Sequence, residues 1–443
     1  MKKYFYLAAV SAMMLTACSS DNDVVQPTTA QPTPTVAAQQ QAVGFDVYVP
    51  AAAAGTRAGA SGVMTTTTLQ TTGFGVFATY SDASDYNAST ATPNFMYNQQ
   101  VTYSSAAWGY TPLKYWPNET VTDSQSPAAS GPTGVTEEDK LSFFAYAPYV
   151  TKAAADADAS TGTGIIGMSA NDAVGNPTIS YKVAPLPENS VDLLWGVAPA
   201  GNLHYTAVNT TDINIAEGMP MIDLIKPDKD QKIKFLFKHA LSRIGLKVVG
   251  AFDQISAGGS KDGNTKVTVE QVDIYGTDQL GVSGVLSLNN TTAGAGVANW
   301  TTVTKATGTV PVFTIPATAL NTTIKDGGAV AFATQPEGVT ASEKNIFEDA
   351  TKYFMVIPTG STDITVKITY YVQTKDDNLA VTGSVDGSRI KNVITKTITV
   401  NLQNNKAYTL KLILGMTSVK LDAEVADWQV DGSNEVYLPQ NNQ

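Results

Sequence analysis

The chain has 443 residues, room for two or three domains, and one cysteine, which excludes an internal disulfide and leaves stability to the hydrophobic core. Charged residues make up 15% of it, against about 25% in ordinary globular proteins, and the formal net charge is −11. A chain this acidic repels phosphate backbones, which argues against nucleic acid as a partner.

The N-terminus opens with Lys2 and Lys3, an apolar run over residues 4–15, and the small-residue ending Leu15-Thr16-Ala17-Cys18. This is the layout of a secretory signal. The run is shorter than the about 20 apolar residues that a membrane-spanning helix needs. Leu-x-Ala-Cys looks like a bacterial lipobox, in which the Cys18 thiol receives a diacylglycerol and becomes the new N-terminus. Residues 1–17 are expected to be the signal, and their loss takes the formal charge from −11 to −13. Each buried CH₂ of an anchor contributes roughly 0.8 kcal/mol, so two or three acyl chains hold stably. Residues 18–43 are rich in Asp, Asn, Gln, Pro and Thr and read as a lipidated flexible tether.

Folded sequence is expected from Gly44. Phe45, Val47 and Val49 alternate with Asp46 and Tyr48, the period of a strand. A run of small residues from Ala51 leads to Arg57 and Ala58. Further strands are predicted at 73–80, 95–103, 113–116, 141–149, 179–183 and 193–197, with long loops at 118–140 and 151–177. Gly218, Pro220, Pro227 and a charged run mark a boundary within residues 216–231. Beyond it, 233–249 is the strongest apolar segment, followed by strands at 267–275, 282–288, 312–315, 353–357, 364–372, 408–414 and 419–425. Val267 and Val269 share one parity and Val272 and Ile274 the other, so a β-bulge is expected near Glu270 and Gln271. One-faced alternation of this kind suits antiparallel sandwiches, and two are expected, over 44–225 and 226–443.

Catalytic chemistry finds little support. There are two histidines: His204 follows a Pro-rich turn and reads as a loop residue, and His239 lies in an apolar segment and reads as a core residue. No nucleophile elbow, close histidine pair, Walker sequence or dinucleotide fingerprint is present, so no catalytic residue, metal or cofactor is assigned. Glu137, Glu138 and Asp139 read as a solvated run, and Asp156-Ala157-Asp158 as half a calcium loop without its glycine and closing glutamate. The five tryptophans, Trp108, Trp116, Trp195, Trp300 and Trp428, are scattered and read as buried anchors before a sugar-stacking platform.

The order of motifs along the whole chain resembles the fimbrillin (Mfa-like) family of Bacteroidales-type lipoprotein pilus subunits. The motifs are the lipobox and tether, the first strand, Thr56-Arg57-Ala58-Gly59, and Gly73-Phe74-Gly75-Val76-Phe77-Ala78. Next come Phe144-Ala145-Tyr146-Ala147-Pro148-Tyr149, Asp192-Leu193-Leu194-Trp195-Gly196, and Phe235-x-Phe237-x-His239-x-Leu241-x-Arg243. The ending from Tyr408 to Trp428 completes the set. The resemblance implies an all-β fold of two tandem antiparallel β-sandwiches (transthyretin-like, Greek-key) with long loops.

The resemblance also implies export as a lipoprotein to the outer membrane and a place at the cell surface in a fimbria. An arginine-specific protease would cut after Arg57, with Ala58 becoming the new N-terminus. The displaced strand would carry Phe45, Val47 and Val49. A strand of another subunit would fill the groove, giving a head-to-tail polymer. The partners implied are other fimbrial subunits, the protease, and a host protein or glycan as adhesive ligand. The tail 429–443, with Val430 and Val436-Tyr437-Leu438, is a short candidate donor. The competing readings are a monomeric surface lipoprotein that binds glycans through loops and tryptophans, and a hydrolase with carboxylates on sandwich loops.

Overall fold

In a computed structural model of the chain the described residues are 41–48, 63–82, 84–117, 139–200, 204–205, 213–226, 232–250, 265–316, 343–345, 353–374, 388–414 and 419–428. Cys18, Val49, Arg57, Ala58 and the C-terminal tail lie outside them. The first elements are β1 (Phe45–Tyr48), α1 (Thr66–Thr72), β2 (Phe74–Tyr80), β3 (Met96–Ser104), β4 (Ala107–Gly109), β5 (Leu141–Ala147) and α2 (Lys152–Ala157). Then come β6 (Gly164–Met168), β7 (Thr178–Lys182), β8 (Leu194–Val197), β9 (His204–Tyr205), β10 (Ile213–Asn214), β11 (Met221–Leu224) and β12 (Ile233–His239). The second half has β13 (Ser242–Gly250), β14 (Thr265–Tyr275), β15 (Gly281–Ser287), β16 (Asn299–Lys305), β17 (Phe313–Pro316) and β18 (Glu343–Asn345). It ends with β19 (Phe354–Val356), β20 (Gly360–Thr374), β21 (Ser388–Leu402), β22 (Lys406–Leu414) and β23 (Val419–Asp427).

The largest sheet has the order β1-β12-β8-β5-β2-β3-β4, with β11 also pairing β5. β2 and β5 are almost wholly buried, and both read as near-continuous apolar runs because both their faces are covered. One face carries Phe74, Val76, Phe143, Ala145, Phe235 and Phe237, packed with Leu69 of α1 and Trp116. The other carries Phe77, Phe144, Tyr146 and Trp195, packed with Ile179 and Tyr181 of a second sheet ordered β16-β15-β7-β6. Two further sheets, β18-β13-β22-β23 with β19 on β13, and β17-β14-β20-β21, enclose Ile244, Leu410, Val272, Ile274, Ile364, Val366 and Ile368. Phe313 stacks on Phe354 there, with ring centroids 4.0 Å apart. The fold is all-β, a set of β-sandwich-like layers.

Several features depart from the sequence expectations. Most ladders are antiparallel, but β1 pairs β12 and β13 pairs β22 in parallel. Pairing crosses the expected division at 225/226 in both directions. β12, past it, lies between β1 and β8, and β7, before it, pairs with β15. Contacts join Gln40–Gln443 as one compact unit. The boundary segment itself supplies β11, and the loop expected over 151–177 contains α2 and β6. The strongest apolar segment is two strands. It turns at Ala240 and Leu241, so that β12 serves the first sheet and β13 another.

The expected bulge is present. The β14–β20 register slips between Val269 and Gln271, which turns Val269, Val272 and Ile274 all inward. The short helix α1 is made of threonines, poor helix formers, and is held by a capping box between Thr65 and Thr68. It stops at Gly73, whose φ of 69° suits glycine; a Cβ there would meet the Val101 carbonyl oxygen at 2.5 Å.

Packing around β2 leaves no room at Gly75, where a Cβ would lie 2.3 Å from the Tyr146 ring. That ring cannot yield easily, because its hydroxyl donates to Asn98 Oδ1 at 2.7 Å. Gly75→Ala is therefore expected to destabilise the fold by roughly 1–3 kcal/mol in urea unfolding. Gly109→Ala, where nothing lies within 4 Å, is expected to stay within about 0.5 kcal/mol of the parent.

Candidate functional site

The strand β1 sits at an edge of the first sheet, paired with β12 and held by the residues just before it. Its residues Phe45, Asp46, Val47 and Tyr48 pair in parallel with Ile233, Lys234, Phe235 and Leu236. Just before it, the Val43 amide donates to the Lys114 carbonyl oxygen at 2.8 Å and the Trp116 amide to that of Gln41 at 2.9 Å. Tyr110 donates its hydroxyl to the Val43 carbonyl oxygen at 2.7 Å. Burial pushes the Tyr110 phenol above its ordinary range, which keeps that proton in place.

Period-two alternation turns Val43 and Phe45 into the core, at 1% and 2% exposure. The Phe45 ring lies in an aromatic box. Its centroid is 5.4 Å from Tyr110, 5.9 Å from Phe143, 6.1 Å from Phe235 and 6.4 Å from Phe74. The contact to Phe235 is stacked and the other three are edge or tilted, and such ring pairs add to area burial. Val47 is half-buried and faces a groove of about 220 Å³ between β1, α1 and β4, lined also by Leu69, Tyr103, Trp108 and Lys232.

A second constellation lies at the other end of β12. Asp192 and His239 are both completely buried, with His239 Nδ1 2.6 Å from Asp192 Oδ2. The Met64 amide donates to the same carboxylate oxygen at 2.9 Å. The imidazole stacks on Trp428, with centroids 4.0 Å apart at 11°. His239 is thus the core residue expected from its apolar neighbours. Its pairing with Asp192, across 47 positions, carried no local signal in the sequence.

The remaining candidates scatter. His204 does not lie in a loop but opens the two-residue strand β9. Asp139, expected to be solvated, is buried and accepts from the Tyr80 hydroxyl at 2.9 Å, because its neighbours enter β5. Asp156 pairs with Lys152 one helical turn away at 2.6 Å. Trp116, Trp195 and Trp428 are buried at 2% exposure or less, so they present no surface to a sugar. Trp300 donates to the Ala240 carbonyl oxygen at 3.0 Å. Trp108 lies against Phe74 and Tyr103, each at 5.1 Å, is partly buried and lines the groove.

Phe45 is the principal apolar attachment of β1. Phe45→Ala is expected to lower stability by roughly 3–5 kcal/mol, read from the urea midpoint. Alanine at Lys234, exposed on β12, is expected to change it by no more than about 0.5 kcal/mol.

No family model matches the chain. Over 144 residues it is 35% identical to the fimbrium subunit Fim1C of Phocaeicola vulgatus, a stretch spanning 32% of this chain and 30% of that protein. In fold it is similar to a fimbrial protein from Bacteroides vulgatus ATCC 8482, with a TM-score of 0.53 at 20% identity over 88% of this chain and 100% of that one. The chain thus spans less than a third of the length of the curated relative it matches, and what it shares with the solved fimbrial protein is the fold.

Proposed function

We propose that this chain is a structural and adhesive subunit, stalk or tip, of a cell-surface fimbria. In this reading it is exported as a lipoprotein on Cys18, trimmed after Arg57 and assembled by donor-strand exchange. The observation that carries the reading is β1. It is a short edge strand whose own partner is β12, and the sequence links it to α1 through the segment holding Arg57. A cut there separates β1 from the rest of the sandwich.

The chemistry of the vacated slot favours another strand. Ladder groups of β12 and of residues 114–116 lose their partners, an open template for a new chain. The aromatic box around Phe45 is left empty, and refilling it contributes roughly 1.5–3 kcal/mol for a large apolar side chain. Association entropy opposes capture, so a donor needs several anchors. A contact repeated head to tail gives an open filament. The relatives' names, a fimbrium subunit and a fimbrial protein, agree with that role.

The test is the N-terminus of the protein recovered from cells. Ala58 as the first residue, with a ladder of SDS-resistant oligomers, is the expected result. Arg57→Ala should stop at an acylated Cys18 and abolish the ladder. A monomer under every condition, with glycan binding lost in Trp108→Ala, would replace this reading by that of a glycan-binding surface lipoprotein.

A further inference from the structure

A slot is useful to an incoming strand only if its walls stay in place when β1 leaves. One wall is α1, whose Thr66, Leu69 and Gln70 line the groove beside β1. The far end of α1 is tied at Gly73, whose carbonyl oxygen accepts from the Tyr149 amide at 3.2 Å. The near end follows directly from the segment that carries Arg57, and a cut there would leave it as a new terminus. Chain termini fray unless something ties them down.

That tie is Asp192. Met64 is buried at 2% exposure, and its amide donates to Asp192 Oδ2 at 2.9 Å. The carboxylate is itself immobile: it is completely buried and held by His239 Nδ1 at 2.6 Å. His239 in turn is fixed between the backbone of β12, paired there with β8, and the Trp428 ring stacked on its face. A buried carboxylate keeps its partners because swinging away leaves it unpaired in an apolar core.

We propose that the Asp192–His239 pair is a clamp that holds the slot preformed after trimming. Asp192 fixes the wall through Met64, and His239 sits on β12, the strand along which β1 is paired, so wall and floor share one buried contact. Both are positioning residues: they touch no incoming strand, but they remove the ordering that capture would otherwise require. The proposal rests on the fimbrial reading and specifies how its groove is kept open.

The test is hydrogen exchange, read by mass spectrometry over residues 64–72 of the full chain before and after cutting by an arginine-specific protease. In the wild type, protection of this segment is expected to survive the cut. In Asp192→Ala the cut chain should exchange there roughly tenfold faster, a local opening, while the uncut chain changes little because α1 is still continuous with the chain that β1 anchors to the sheet. Asp192→Asn keeps an acceptor oxygen for the Met64 amide and should restore the protection. Loss of protection in the cut wild type, or equal protection in cut wild type and cut Asp192→Ala, would overturn the clamp and leave the fimbrial reading standing. The wild-type comparison decides even if the alanine variant does not fold. Failure of the protease to cut after Arg57 would instead overturn the fimbrial reading, and the clamp's role with it.

Discussion

One run of chain, residues 233–250, constrains the rest of the structure. Its first strand, β12, is paired on one side by β1 and on the other by β8. After the turn at Ala240 and Leu241 its second strand, β13, is paired by β22, β18 and β19 in a different sheet. The amides and carbonyls along this run need partners, because most of residues 233–246 are buried. The two sheets therefore share a covalent corner, and neither can rotate freely about the other. This is why pairing ignores the linker-like composition near residue 225.

The same run also carries β1. That strand is short, it lies at an edge, and its ladder is parallel, an arrangement slightly weaker per residue than an antiparallel one. Backbone hydrogen bonds to β12 contribute about 0.5–1.5 kcal/mol each, net, since water competes for the same groups. The Phe45 pocket has no such competitor, because water gains nothing from four aromatic rings. Apolar anchoring thus outweighs the ladder in holding β1, and the ladder sets its direction and register.

Much of the fold was legible because strand periodicity is local. β2, β5, β8, β14, β20 and β22 all fall where alternation or apolar runs put them, and even the bulge beside Glu270 was written in a change of parity. β21 was missed, although it has fifteen residues, because Asn392 and Lys396 interrupt its apolar face and threonines fill the other. β6 and α2 read as loop in the sequence because each is short and rich in small residues. In the candidate site, Phe45 and His239 were visible as core residues. Tyr110 and the backbone of residues 114–116 were not: the Tyr110 hydroxyl finds a partner 67 positions away, and the backbone bonds are ones that any side chain allows.

The sequence by itself determined an all-β chain, an apolar first strand and the burial of His239, because these depend on residue type and on neighbours one to four positions away. Tertiary structure alone decided that β1 runs parallel to β12, that Phe45 enters an aromatic box, and that one carboxylate grips both Met64 and His239. Those outcomes depend on which distant segments meet. A backbone offers the same donors and acceptors at nearly every position, so its choice of partner is settled only by packing of the whole.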